Sequence, residues 1–133
     1  MQPSGPLTAH FVWEEARCHC GCQIPEKLLP EIAKTADWAE KVRSALGGHP
    51  MKVLSWYRCE KWNARVGGAP KSQHLLGRAI DFTIKSVAPR AAQVQIVVNG
   101  LYPSLIKGFG QYQGFTHIDR RTDGIAIWDD SPP

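Results

Sequence analysis

The sequence predicts an α+β fold in which an antiparallel sheet is flanked by helices. Two kinds of segment indicate this class. Apolar residues recur at helical spacing in two stretches, and several short stretches alternate apolar and polar residues between Gly and Asp turns. Short turns between successive strands favour antiparallel pairing. Because 133 residues are enough for one core, we expect residues 1–133 to form a single domain.

The predicted elements alternate along the whole chain. They are an extended segment at 8–15, a tight loop at 18–23, a helix at 26–46, a strand at 51–57, a short helix at 60–65, a loop at 67–70, a strand at 78–84, a helix at 89–101, and strands at 109–112, 115–120 and 125–128.

The longest helix is indicated by its apolar spacing and its ends. Between residues 26 and 46 the apolar side chains recur every three or four positions: Leu28, Leu29, Ile32, Ala36, Ala39, Val42 and Leu46. Pro30 fits only in the first turn, and the pair Gly47-Gly48 ends the helix. The second helix, 89–101, is expected to bury Ala92, Val94, Ile96 and Val97.

Three polar residues are placed to meet at one cleft. In the strand 78–84 the apolar Ile80, Phe82 and Ile84 share one face, so Asp81 points to the other. In the strand 115–120 the same alternation puts His117 on one face together with Asp119. A straight strand would separate His74 from Asp81 by roughly 20 Å or more, so the chain must bend between them, and Gly77 can supply the unusual backbone angle.

Two imidazoles and one carboxylate suit a zinc ion. This donor set leaves one position of the ion open for water, which is what a catalytic zinc requires. The sequence therefore predicts that His74, Asp81 and His117 bind one metal ion.

Composition excludes several other classes. The formal net charge is +4, and the basic residues form no block, so a nucleic-acid-binding protein is not expected. No apolar run approaches the ~20 residues of a membrane span, so we expect no stable membrane insertion. The N-terminus lacks a basic region followed by an apolar core, so we expect synthesis in the cytosol without a signal peptide.

Four motifs together resemble a known enzyme superfamily. They are Ser55-Trp56-Tyr57-Arg58, Asn63-Ala64-Arg65-Val66-Gly67-Gly68, Ser72-Gln73-His74-Leu75-Leu76-Gly77-Arg78-Ala79-Ile80-Asp81 and His117-Ile118-Asp119. The chain resembles the zinc D-Ala-D-Ala carboxypeptidase and L-alanyl-D-glutamate endolysin superfamily, in its small phage-type branch, over about residues 11–128. The resemblance implies a hedgehog/D-Ala-D-Ala-peptidase-like fold, one zinc ion, and hydrolysis of peptide bonds in bacterial peptidoglycan.

The resemblance also assigns roles to single residues. It makes His74, Asp81 and His117 the zinc ligands, and it places Arg58 where a guanidinium can stabilise the developing oxyanion. By position, Ser72 is expected to bind substrate or to support His74. From their loop positions, Gln73 and Asn63 are candidate substrate-binding residues, and the alternative is that they satisfy backbone groups, as loop polar residues more often do.

The general base departs from the family pattern. Some branches have an acid three positions before the last ligand and others a histidine two before it, but Gly114 and Phe115 stand there. Asp119 is the acid that remains. It is assigned as the catalytic base that passes a proton to the leaving amine. The alternative is that Asp119 holds the imidazole of His117 in place.

The four cysteines permit more than one interpretation. Cys18, Cys20 and Cys22 alternate, whereas zinc sites with four thiolates normally show pairs with two residues between them. Because similar proteins carry cysteines at both places, Cys59 is expected near the loop 18–22. Two states of these cysteines remain possible: a disulfide between Cys59 and one of the other three after export, or four reduced thiols in the cytosol.

Peptidoglycan peptides are therefore the expected substrate, and an endopeptidase is expected rather than a carboxypeptidase. The resemblance implies action at the cell wall or periplasm, reached through membrane holes made by a holin-type partner. We expect a monomer. Two alternatives are a non-catalytic zinc-binding module of the same fold, as in hedgehog-like relatives, and a redox or metal-buffering protein built on the cysteines.

Overall fold

A five-stranded sheet organises the structure, a computed structural model that describes residues 2–130. The strands are β1 (Met51–Ser55), β2 (Ala79–Ile84), β3 (Gly108–Gln111), β4 (Thr116–Asp119) and β5 (Ala126–Asp129). Their order across the sheet is β1-β2-β4-β3-β5. The α+β class is confirmed, but the sheet is mixed rather than wholly antiparallel.

The mixed character comes from the last strand. β1 pairs with β2, β2 with β4 and β4 with β3 in antiparallel fashion, whereas β5 pairs with β3 in parallel. Both edges of β4 are already occupied, by β2 and by β3. The chain that leaves β4 can therefore join the sheet only at an outer edge, and it pairs with the free edge of β3, where it runs in the same direction as β3.

Helices and helical turns connect these strands. The α-helices are α1 (Leu29–Ala45), α2 (Glu60–Arg65), α3 (Pro89–Val98) and α4 (Leu101–Ser104), and single 3₁₀ turns form at Trp13–Ala16, Glu26–Leu28 and Gln73–Leu76. The extended segment predicted for 8–15 is thus partly helical. Within residues 2–130, no helix is both long enough and apolar enough to cross a membrane.

Helix α1 matches its predicted pattern. Pro30 lies in its first turn, and the backbone N–H of Gly48 bonds to the Arg43 carbonyl at 2.9 Å, where the chain turns out of the helix. The predicted apolar positions Ile32, Ala36, Ala39 and Val42 are fully buried.

Helix α3 buries a narrower stripe than its sequence suggested. Ala92 and Ile96, one turn apart, enter the core, but Val94 and Val97 are about half exposed. The buried polar residue between them is Gln93, whose amide donates to the carbonyls of Tyr112 and Phe115 at 3.0 and 3.1 Å and to Thr116 Oγ1 at 3.1 Å. Gln93 thereby fixes the turn between β3 and β4.

Glu31 joins helix α1 to the ends of two central strands. Its carboxylate accepts hydrogen bonds from Arg78, which precedes β2, and from Arg120, which follows β4. Arg120 also donates to the hydroxyl of Thr35 at 2.8 Å. The hydrogen bond from Arg78, together with Arg120, holds the pKa of Glu31 below its usual range although partial burial opposes this.

We predict that Glu31→Gln destabilises the protein at neutral pH. The pKa of Glu31 is depressed in the folded state, so its stabilising effect is present above the unfolded pKa of about 4.5 and is lost as pH falls through the folded value. Because the carboxylate is partly exposed, the expected loss at pH 7 is about 1–2 kcal/mol of unfolding free energy. Urea unfolding at pH 7 and at pH 3 measures the unfolding free energy of wild type and variant, and the difference between them should be smaller at pH 3. Glu26→Gln, at an exposed glutamate, is the matched control; an equal gap at both pH values would contradict the prediction.

Candidate metal centre

The pairing of β2 with β4 brings the first two predicted ligands face to face. Asp81 lies directly opposite His117 in this antiparallel ladder. Residues opposite each other share a face of the sheet, so both side chains point to the same side. The distance from His117 Nδ1 to Asp81 Oδ1 is 2.8 Å, and both side chains are buried.

The third predicted ligand arrives from a tight turn before β2. The hydroxyl of Ser72 accepts the backbone N–H of His74 at 3.1 Å and starts the 3₁₀ turn Gln73–Leu76. Gly77 ends it with φ of +70°, so the predicted bend is confirmed at the predicted residue. The Gly77 carbonyl is held by the Trp56 indole at 3.1 Å and by the Thr35 hydroxyl at 2.7 Å.

A backbone carbonyl sets the orientation of the His74 ring. Nδ1 lies 2.6 Å from the carbonyl oxygen of Trp56, which can only accept a hydrogen bond, so Nδ1 carries the proton. Nε2 points toward Asp81 Oδ1, 3.2 Å away, so it donates to this carboxylate when it carries a proton and offers its lone pair to a metal ion when it does not. Trp56 itself is fully buried, and this carbonyl gives it a direct role beside the site.

His117 is oriented from its far side by Asp119. Its Nε2 lies 2.8 Å from Asp119 Oδ2. The Asp119 side chain has no exposed surface. Arg121 donates two hydrogen bonds to it, from Nε to Oδ1 at 2.8 Å and from Nη2 to Oδ2 at 2.7 Å. Asp119 therefore faces the imidazole and a guanidinium, while Nδ1 of His117 faces Asp81.

These contacts decide the charge of the two carboxylates. Burial alone raises the pKa of Asp81, but the hydrogen bonds from His117 and His74 outweigh it and keep this pKa well below its usual range. Burial likewise opposes ionisation of Asp119, yet Arg121 and His117 lower its pKa to about 2. Both groups are anionic at neutral pH, and the pKa of His117 between them is raised, because its hydrogen bonds to Asp119 and Asp81 outweigh its burial.

The donor atoms fit a tetrahedral zinc ion. One ligand atom from each of His74, Asp81 and His117 lies within 4.8 Å of the others. Ligands about 2.0–2.1 Å from zinc at tetrahedral angles are about 3.3 Å apart. The separations of 3.2 and 2.8 Å from Asp81 Oδ1 to the two imidazole nitrogens are close to this spacing. Each ring nitrogen that would remain away from the ion has an oxygen partner, as is usual for metal-binding histidines.

Arg58 lies beside this centre and is held by three side chains. Its guanidinium contacts Asp81 Oδ2 at 3.3 Å, the Asn63 amide oxygen at 3.3 Å and the Ser55 hydroxyl at 3.1 Å. Asn63 is buried and also donates to the Ala69 carbonyl at 2.9 Å, so its contacts support Arg58 and the loop at 67–70.

The centre lies in a cleft of about 560 Å³. Arg58, Ser72 and Gln73 line it as the sequence suggested. The Gln73 side-chain oxygen is buried and has no hydrogen-bond partner among residues 2–130.

Several residues that line the cleft were not predicted from the sequence to lie at the site: Lys71, Tyr112, Phe115, Arg121 and Trp128. Tyr112 stacks on Phe115 with ring centroids 4.3 Å apart, and its hydroxyl accepts the Trp128 indole N–H at 2.8 Å. Trp128 lies across Gly110 in the parallel β3–β5 ladder. Trp128 reaches the cleft through that parallel pairing, so its position in the sequence did not indicate that it lines the site.

Comparison with known proteins assigns the chain to a family. The sequence model of the peptidase M15 family matches residues 9–119. This chain is a member of the peptidase M15 family. The match supports a peptidase, and it places the chain in the zinc D-Ala-D-Ala carboxypeptidase superfamily that the motifs resemble. A search of curated proteins found no match.

A glycine in β3 leaves room for the Asp119 side chain beside the candidate metal centre. Gly108 lies opposite Asp119 in the β3–β4 ladder, and a Cβ at Gly108 would overlap the Asp119 carboxylate. We predict that Gly108→Ala displaces Asp119 from His117 and weakens zinc binding by about 10- to 100-fold. A zinc titration against a competing chelator measures the loss. Gly114→Ala is the control, because a Cβ there meets nothing within 4 Å. Equal affinities for the two variants would contradict the role given to Gly108.

Proposed function

We propose that this M15 protein is a zinc-dependent peptidase that hydrolyses peptide bonds in peptidoglycan stem peptides or cross-links. One observation carries the proposal: two oriented imidazoles and one carboxylate converge at a cleft in a chain of a peptidase family. When bound there, zinc would polarise the scissile carbonyl and activate water for attack.

Arg58 is the residue best placed to assist the reaction. Its three hydrogen bonds fix the guanidinium beside Asp81, so little reorganisation is needed when negative charge develops on the carbonyl oxygen. Removing one such fixed donor from an active site typically costs about 100- to 1,000-fold in turnover.

The chemistry of the cleft supports an acidic peptide as substrate. Arg58 and the exposed Lys71 supply positive charge, and the stacked rings of Tyr112 and Phe115 supply a flat apolar wall. Stem peptides of peptidoglycan carry free carboxylates along a short extended chain, which such a cleft can bind through ion pairs. Ser72 and Gln73, on the same wall, are proposed to contact the peptide.

The resemblance to small phage-type lysins supports the finer assignments. We propose an endopeptidase rather than a carboxypeptidase. The protein would act as a monomer at the cell wall or periplasm, after release through a holin-type partner.

The geometry of Asp119 supports the orienting role over the base role. A general base must reach the attacking water, but the Asp119 side chain is fully enclosed and its oxygens are bonded to His117 and Arg121. A carboxylate that accepts the imidazole N–H raises the basicity of the ligand and fixes its ring.

A non-catalytic zinc-binding module of the same fold is the second candidate. The observation that favours it is that Asp81 is the single carboxylate lining the cleft among the described residues 2–130. Such a module would bind zinc with the same three residues but release no wall fragments.

Mass spectrometry of defined muropeptides incubated with the protein tests the proposed function. We predict that wild type releases fragments whose masses identify the bond, and that His74→Ala loses both this activity and the zinc of the cleft site. His49→Ala, at an exposed histidine, is the control and should match wild type. Undiminished cleavage by His74→Ala, or by protein freed of metal, would refute a zinc peptidase. Zinc binding without any cleavage would favour the module.

A separate prediction concerns Asp119→Asn. If Asp119 orients His117, this change lowers zinc affinity by about 10- to 100-fold, and excess zinc restores much of the turnover. A competing-chelator titration and turnover at rising zinc concentration measure the two effects, with the exposed Asp37→Asn as control. Unchanged zinc affinity with a large, zinc-independent loss of turnover would instead identify Asp119 as the base.

A further inference from the structure

Four cysteine sulfurs meet at a place distinct from the cleft. The loop at 18–22 contributes Cys18, Cys20 and Cys22, and the residue before helix α2 contributes Cys59. All four sulfurs lie within 4.8 Å of one another. The pair distances are 3.4 Å for Cys18–Cys20, 3.8 Å for Cys18–Cys59 and 3.7 Å for Cys20–Cys59.

The backbone explains how such distant residues meet. A hydrogen bond of 3.2 Å from the Tyr57 N–H to the Ala16 carbonyl sets the two segments side by side. The chain then turns at Gly21, whose φ is +85° and whose N–H bonds to the Cys18 carbonyl at 3.1 Å. This turn folds Cys22 back toward the sulfurs of Cys18 and Cys20.

The sulfur spacing is that of a tetrahedral metal site. Four thiolates about 2.3 Å from zinc at tetrahedral angles are about 3.8 Å apart. The observed 3.4–3.8 Å matches this spacing and is far from the roughly 2.05 Å of a disulfide. Two backbone N–H groups also point at sulfurs, from Cys22 to Cys20 and from Trp62 to Cys59, each at 3.4 Å. Such donors stabilise thiolate charge.

We propose that Cys18, Cys20, Cys22 and Cys59 bind a second zinc ion in a structural site. Four soft thiolates select zinc, and four protein ligands leave no open position for substrate, so the site is structural rather than catalytic. The ion would hold the loop at 18–22 against the chain segment that contains Arg58 and Cys59. The exposed Cys20 and a neighbouring cavity of about 700 Å³ leave a path for the ion to enter.

The sequence pattern argued against this site because it lacks pairs separated by two residues. The structure shows another arrangement, in which alternate residues of one turning loop supply three sulfurs and a distant residue supplies the fourth. The inference does not depend on the proposed peptidase activity, because it involves none of the residues of the cleft.

Metal analysis of two complementary variants tests the proposal. Proteins purified under reducing conditions are supplied with zinc, desalted and measured by elemental mass spectrometry. Wild type should hold zinc in both sites, about two ions per chain. The variant with His74→Ala and His117→Ala should keep one ion, and the variant with Cys20→Ser and Cys59→Ser should hold one ion fewer than wild type. His19→Ala, at the exposed histidine next to the cluster, should keep both.

A second readout covers the case in which the cysteine variant fails to fold. In the folded His74→Ala, His117→Ala protein, cobalt should produce strong sulfur-to-metal charge-transfer absorption, and the four thiols should react with a thiol reagent only after a chelator is added. Rapid reaction of all four thiols without chelator, a disulfide in the intact mass, iron in place of zinc, or a zinc ion lost in His19→Ala would each overturn the proposal.

Discussion

The carboxylate of Asp81 is the group on which the centre depends. One of its oxygens lies within 3.2 Å of both imidazoles, and the other accepts a hydrogen bond from Arg58. A buried anion is costly unless it is surrounded by donors or a cation. The three groups that satisfy Asp81 come from a turn, a neighbouring strand and a distant loop. The negative charge of Asp81 is therefore compensated only when all three segments are folded into place.

Each residue in contact with Asp81 is in turn held by a further partner. The Trp56 carbonyl fixes His74, Asp119 fixes His117, and Asn63 with Ser55 fixes Arg58. These outer contacts leave little rotational freedom at the centre. Binding a metal ion or a transition state to preorganised groups avoids most of the entropy cost of ordering them. Two of the candidate ligands lie on β2 and β4, inner strands of the sheet.

Much of the site could be read from the sequence because it rests on local geometry. Strand alternation placed Asp81 and His117 away from the apolar face, and Gly77 marked the bend that returns His74. Roles that depend on the burial of a side chain and on its contacts with distant residues could not be predicted in this way. The sequence left Asp119 open as a base or as the partner of His117, and only the structure shows that its side chain is enclosed and bonded to Arg121. The loop position of Asn63 left both substrate binding and backbone satisfaction open, and the side chain is buried beside Arg58, where it donates to the Ala69 carbonyl.

The sequence by itself determined the α+β class, the order of helices and strands, and the three residues that converge as candidate ligands. The class, the element order and the shared face of Asp81 and His117 follow from periodicities of two and of 3.6 residues, and the placement of His74 follows from the bend at Gly77; all are properties of the local chain. Only the tertiary structure decided the parallel pairing of β5 and the entry of Trp128 into the cleft. Each of these depends on which sheet edge or surface remains free after the other elements have packed, and no short stretch of sequence records that competition.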